Sequence, residues 1–174
     1  MKILIVYPEY PKTFWSFNHF FELFSKKETF PPKELLHLSI LLPITWERKL
    51  VDMNTRKISK AELQWADYIL ISANEGQYDS TLKTIKSCCS RHKKIVASGP
   101  LFTEYAEEFE GVEHLLLDNI EITLPELVHD LENQKTKKVY HSNPFFEIRK
   151  FTESYYSLTS ISDNFSRNIQ LSYY

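Results

Sequence analysis

Short apolar runs, rather than long stretches of alternation, mark the strands of this chain. Residues 2–7 (KILIVY) are apolar almost throughout, as expected of a strand covered on both faces. Residues 46–52 (WERKLVD), 67–73 (DYILISA), 94–99 (KIVASG) and 113–117 (EHLLL) are four more segments of strand length. The stretches between them carry helical spacing. Phe17, Phe20, Phe21 and Phe24 fall at i, i+3, i+4 and i+7, an aromatic stripe along one helix face. That stripe reads as a core helix, or as an aromatic wall beside a flat cofactor; Phe14 and Trp15 precede it and His19 lies just off it.

Pro31-Pro32 interrupts the chain, and residues 34–42 predict a second helix, apolar on most sides and therefore well buried, which Pro43 ends. Ser59 with Glu62 three residues on forms a capping box for a short helix ending near Trp65. Asp79 or Ser80 is placed to cap the next helix, with Leu82, Ile85 and Cys89 as its core stripe. A short helix is expected to begin near Thr103. Thr123 and Glu126 form another capping box, with Pro125 in the first turn of a helix reaching about Asn133. Strand and helix thus alternate over five strands, which argues an α/β domain, residues 1–138, with a doubly wound parallel sheet and helices on both faces.

After Lys138 the character changes. Residues 139–174 are polar, rich in Tyr, Phe and Ser, and read as a linker or tail. Near its end Ile169, Leu171 and Tyr173 alternate with Gln170, Ser172 and Tyr174, the pattern of a half-buried strand.

Two strands end in small residues, Ser72-Ala73 and Ser98-Gly99, the second followed by Pro100. Small residues suit turns. Side by side they would also leave room at the carboxyl edge of the sheet, where open α/β sheets place their ligands. The loop Asn74-Glu75-Gly76-Gln77 follows at such a position.

Composition narrows the function classes. A formal net charge of −2 over 174 residues gives no general attraction to nucleic acid or to a membrane surface. Lys83, Lys86, Arg91, Lys93 and Lys94 crowd the far half of one helix, where cations favour the helix dipole. No apolar run approaches the ~20 residues of a membrane span, and the start lacks a signal-peptide cleavage pattern, so a cytoplasmic location is expected. Only three glycines occur where average usage of ~7% gives about 12. Neither GxGxxG nor GxxxxGK is present, so the usual phosphate-cradling loops are missing. The only cysteines, Cys88 and Cys89, are adjacent, and the six histidines (His19, His37, His92, His114, His129, His141) have no metal-ligand spacing. Nor does spacing alone reveal a Ser-His-Asp or Cys-His constellation. A receiver-type module would want an acidic cluster after its first strand and an Asp closing its third; Glu9 is alone and Ile71-Ser72-Ala73 has no Asp.

Several stretches, in order and in spacing, resemble one family: YPEYPKTFWSF (7–17), FPP and then LLP (30–43), LVDMN (50–54), ISA (71–73), SGPLFT (98–103) and EITLPE (121–126). They are similar to the N-terminal cobalamin-binding domain of B12-dependent radical SAM proteins, the group that includes the hopanoid methylases, over roughly residues 1–172. The resemblance implies a flavodoxin-like domain holding cobalamin at the carboxyl edge of its sheet. Tyr7, Glu9, Thr13, Phe14 and Trp15 would lie close to the corrin. Ser72, Ala73, Ser98, Gly99 and Pro100 would border the nucleotide tail, with Thr103 bonded to a tail oxygen and Asp118 and Glu121 in the loop after the fifth strand. Related cobalamin domains carry a DxHxxG whose His ligates cobalt. The matching stretch here, Tyr7-Pro8-Glu9-Tyr10, has no His, which implies base-off binding without a protein imidazole.

The chain departs from the family at three turns. Ser98-Gly99 stands for Gly-Gly, Lys33-Glu34 follows the Pro-Pro pair where Gly is usual, and Asp118-Asn119-Ile120-Glu121 replaces a Gly-Glu-Gly-Glu type loop. The CxxxCxxC cluster motif is not in this sequence, and radical chemistry needs three cluster thiolates. The expected function is therefore a cobalamin-binding module, not an enzyme on its own, derived from or acting with a separate radical SAM methyltransferase domain. The alternative is a degenerate fragment that keeps the fold without the ligand and serves as a protein-interaction domain.

Overall fold

The computed structural model describes residues 1–11 and 33–142. Thr13, Phe14, Trp15, the Phe17–Phe24 stripe and the alternating segment near Leu171 lie outside the described residues. Six strands form one sheet: β1 (Lys2–Tyr7), β2 (Glu47–Asp52), β3 (Tyr68–Ser72), β4 (Lys94–Ser98), β5 (His114–Leu117) and β6 (Val139–His141). Their order is β2-β1-β3-β4-β5-β6, and every neighbouring pair is parallel. The flavodoxin-like, doubly wound expectation holds, with one correction: the sheet has six strands, not five. The sixth is a three-residue strand just past Lys138, and only Tyr140 of it is buried. A segment so short, in polar surroundings, carries too little apolar pattern to be read in advance.

Among the described residues five α-helices connect the strands: α1 (Lys33–Leu41), α2 (Lys60–Trp65), α3 (Tyr78–Cys89), α4 (Pro100–Tyr105) and α5 (Ile120–Glu132). Alternation along β1 explains why both sheet faces must be covered. Leu4 and Val6 enter a core with Leu63 of α2, Ile85 and Cys88 of α3, and Leu101 and Phe102 of α4. Ile3, Ile5 and Tyr7 enter a second core with Leu35 and Leu38 of α1 and Leu124 and Leu127 of α5. Burial drives the Cys88 thiol pKa up to about 11, so it stays an inert thiol.

The helices depart from expectation in four places, one in burial and three in where the helix starts. α1 is buried on one face only: Leu35 and Leu38 point inward, while Leu36 and Ile40 are 41% and 78% exposed. Its end is held from β2, where the Arg48 guanidinium donates to the Ser39, Leu42 and Pro43 carbonyls. α3 begins at Tyr78, one residue before the expected cap. Its inward face is Thr81, Thr84, Ile85 and Cys88, with Leu82 and Cys89 only half-buried. α4 begins at Pro100, the favoured first helical position for proline, rather than near Thr103. α5 begins at Ile120, capped by Asn119, whose side chain accepts from the Glu121 amide; Thr123 and Pro125 lie inside it. The Ser59–Glu62 capping box of α2 forms as expected, with both reciprocal hydrogen bonds.

Candidate functional site

The sheet order reverses between β1 and its two neighbours, β2 and β3. That switch point opens a crevice at the carboxyl ends of the strands. Tyr7, the last residue of β1, is buried, and its carbonyl accepts from the Met53 amide. The loop it leads into is held by side chains from three other segments. Gln77, wholly buried in the 3₁₀ turn Glu75–Gln77, donates to the Pro8 carbonyl and accepts from the Asn74 amide at 2.8 Å. Ser80 Oγ accepts from the Glu9 amide at 2.9 Å, and Asn54 Oδ1 from the Tyr10 amide at 2.9 Å. Above them Asn74 Nδ2 donates to both phenol oxygens, Tyr7 at 3.0 Å and Tyr10 at 2.9 Å. The Tyr10 ring lies over Gly76, where a Cβ would sit 3.2 Å from it.

The ends of β3 and β4 show what their small residues do. Ser72 pairs with Ser98 across the ladder, and the Ala73 amide donates to the Ser98 carbonyl at 3.1 Å. The Ala73 carbonyl accepts from the Leu101 amide at 3.2 Å. Gly99 has φ +103°, and a Cβ there would lie 2.5 Å from the Ala73 oxygen. Smallness at this edge therefore serves close backbone approach. Ser98 and Ala73 are buried, Ser72 and Gly99 half-buried, and Pro100 exposed.

Beyond β4 the edge is polar. Thr103 Oγ1 accepts from the Asp118 amide at 3.3 Å. Asp118 holds φ +63°, the left-handed region that favours glycine. Its carboxylate stands 3.6 Å from His141, and Glu121 stands 3.4 Å from His37, all four side chains being at least partly exposed. The Asn119 amide donates to Ser142 Oγ. Away from the edge, His114 is buried on β5, its Nδ1 donating to the Lys137 carbonyl, while Nε2 has no partner. Among the described residues no group of three histidine, cysteine or acidic side chains is placed to hold a metal ion.

A groove of about 480 Å³ opens beside the switch point, between the β1 loop and the start of α3, and Glu9, Tyr10, Gly76, Asp79, Ser80 and Lys83 line it. Its walls offer hydroxyls, carboxylates and the face of an aromatic ring. Of the residues expected from sequence, Glu9 lines this groove, and Tyr7 is buried at the end of β1 beside it, bonded to Asn74. Ser72, Ala73, Ser98 and Gly99 stand at the neighbouring strand ends, and Thr103, Asp118 and Glu121 form a third group farther along the edge. The sequence marks the loop Asn74–Gln77 as a place where a ligand could lie, but gives Asn74, Gln77, Tyr10 and Asn54 no individual roles. One signal existed: Asn74 and Gln77 have the i, i+3 spacing at which a side chain returns to the cap amide.

Among the described residues no helix is long and apolar enough to cross a membrane. No family model matches the chain, and no solved structure matches it. Two curated proteins do. An uncharacterized methyltransferase of Synechocystis sp. is 33% identical over 174 residues, 99% of this chain and 32% of that protein. The hopanoid C-2 methylase of Rhodopseudomonas palustris is 25% identical over 176 residues, 98% of this chain and 33% of that protein. The chain thus spans about a third of the length of the curated relatives it matches, and its homology from end to end is to methylases.

Proposed function

We propose that this chain is a cobalamin-binding module acting with a radical SAM methyltransferase domain. The observation that carries the reading is end-to-end similarity to a third of two methylases, one of them a hopanoid C-2 methylase. The parallel sheet, with its crevice at the β1/β3 switch point, supplies a place of the right kind. Its chemistry suits a large ligand rich in amides. The Tyr7 and Tyr10 hydroxyls, the Asn74 amide and the Ser80 hydroxyl offer neutral donors and acceptors. Residues 7–10 contain no histidine, so this loop offers the cobalt no imidazole. When bound, the cofactor would supply a cobalt centre able to carry a methyl group. This chain's own part is to hold and orient it through Tyr7, Glu9 and the edge residues Thr103 and Glu121. The only cysteines, Cys88 and Cys89, are buried and half-buried neighbours, so cluster thiolates are assigned to another polypeptide segment.

A second reading, a domain that keeps the fold for protein interaction, is favoured by one observation. Asp118 puts a side chain 3.6 Å from His141 on a turn whose φ of +63° favours glycine.

Anaerobic titration with hydroxocobalamin, followed by desalting and an ultraviolet–visible spectrum, tests the choice. Cobalamin retained with a base-off-type spectrum is the expected result. A colourless but folded protein would overturn the module reading and leave the interaction domain.

A further inference from the structure

We infer that Gln77 is the positioning residue of the switch-point crevice, setting where Glu9 and Tyr10 stand above the sheet edge beside Tyr7. Its amide is wholly buried and uses both ends: the nitrogen donates to the Pro8 carbonyl, the oxygen accepts from the Asn74 amide. It therefore ties the loop leaving β1 to the loop leaving β3, the two strands that flank the reversal of sheet order. The two loops are not joined to each other by a strand ladder, since β1–β3 pairing runs only from Ile3–Tyr68 to Val6–Ile71, while Tyr7 pairs with Asp52 of β2 and Ser72 with Ser98 of β4. The same residue fixes the donor above. Holding the Asn74 backbone sets its side chain to reach Tyr7 and Tyr10 at 3.0 and 2.9 Å. Ser80 and Asn54 are secondary ties, each accepting one amide of the same loop.

Geometry makes the residue type specific. A carboxylate of the same shape keeps an acceptor for Asn74 but has no hydrogen to give Pro8. A leucine loses both. Asparagine is one methylene too short to span both partners from the same backbone.

Amide hydrogen exchange on the full chain, compared between wild type and Gln77→Glu, tests the role without any ligand. The Glu9 and Tyr10 amides are expected to exchange about tenfold faster in the variant, while Leu70 and Val96, deep in the ladder, keep their rates. Equal acceleration at all four sites would make Gln77 a stability residue only and overturn the inference. So would unchanged rates at Glu9 and Tyr10. Should the buried carboxylate prevent folding, Gln77→Met, which keeps the side chain's length but loses both hydrogen bonds, provides the second test. The Glu9 and Tyr10 amides are again expected to exchange about tenfold faster while Leu70 and Val96 keep their rates, and unchanged rates at Glu9 and Tyr10 would overturn the inference. A ligand arm rests on the cobalamin reading: Gln77→Glu is expected to weaken hydroxocobalamin retention at least about tenfold. If wild type retains none, the cobalamin reading fails while the exchange arm still decides the role of Gln77.

Discussion

A methyl group placed on Gly99 would stand 2.5 Å from the Ala73 carbonyl oxygen, on a residue whose φ is already +103°. Both facts oppose any side chain, so Gly99→Ala is expected to lower unfolding free energy by at least about 2 kcal/mol, read from urea denaturation. Asp118 shows the converse. Its φ of +63° is the conformation glycine takes without steric cost, and its 3.6 Å contact with His141 is exposed on both sides. Surface pairs of that kind contribute little. Asp118→Gly is therefore expected to raise the unfolding free energy by about 0.5–1 kcal/mol, read as a higher urea midpoint. The same variant removes the side chain from the edge, so pairing the denaturation with a hydroxocobalamin titration separates a closed site from a lost one. These two positions also show what sequence could and could not reveal about the site. Gly99 is conspicuous because the chain has only three glycines. The roles of Asn74 and Gln77 depend on which loops meet at the switch point, and no local pattern encodes that meeting.

At the scale of elements, the most legible features were those whose cause is local. The capping box of α2 is such a case: Ser59 and Glu62 exchange hydrogen bonds, and Arg56 adds two to the Glu62 carboxylate at 2.7 and 3.0 Å. The Arg56 guanidinium, more than the Ser59 bonds, holds the Glu62 pKa down to about 2 from the usual 4.5. A depressed carboxylate stabilises the fold fully above its unfolded value and loses that contribution as pH falls through the folded one. Stability is thus expected to decline between about pH 4.5 and about pH 2, and Glu62→Gln to flatten that part of the curve in thermal scans. Ser59→Ala is expected to cost about 1 kcal/mol at neutral pH. Elements fixed by tertiary context were misjudged in their ends. The sequence around Thr123 and Pro125 imitates a helix start, yet the helix begins three residues before Thr123 because Asn119 caps it and Ser142 of the last loop holds the Asn119 amide. Helix α1 looked buried all round because its composition is apolar. Only packing shows that Leu36 and Ile40 face outward.

Across the whole molecule, the described residues bury two apolar layers, one on each face of the sheet. Leu36, Ile40 and Ile44, the last 92% exposed, add nothing to either. Replacing Leu36 and Ile40 together by lysine is expected to change unfolding free energy by less than about 0.5 kcal/mol per site. It is also expected to reduce self-association, measured by sedimentation at rising concentration.

The parallel sheet carries a consequence in time. No described strand pairs with its sequence neighbour through a hairpin, so each ladder waits for a crossover to be made. Of the described strands, β1, second from one edge of the sheet, is synthesised first. Its flanks are filled next by β2 on one side and β3 on the other, and the remaining strands then join outward in a single direction. During translation the most apolar strand therefore emerges before either partner exists, and it stays the one most in need of shelter until β3 has left the ribosome.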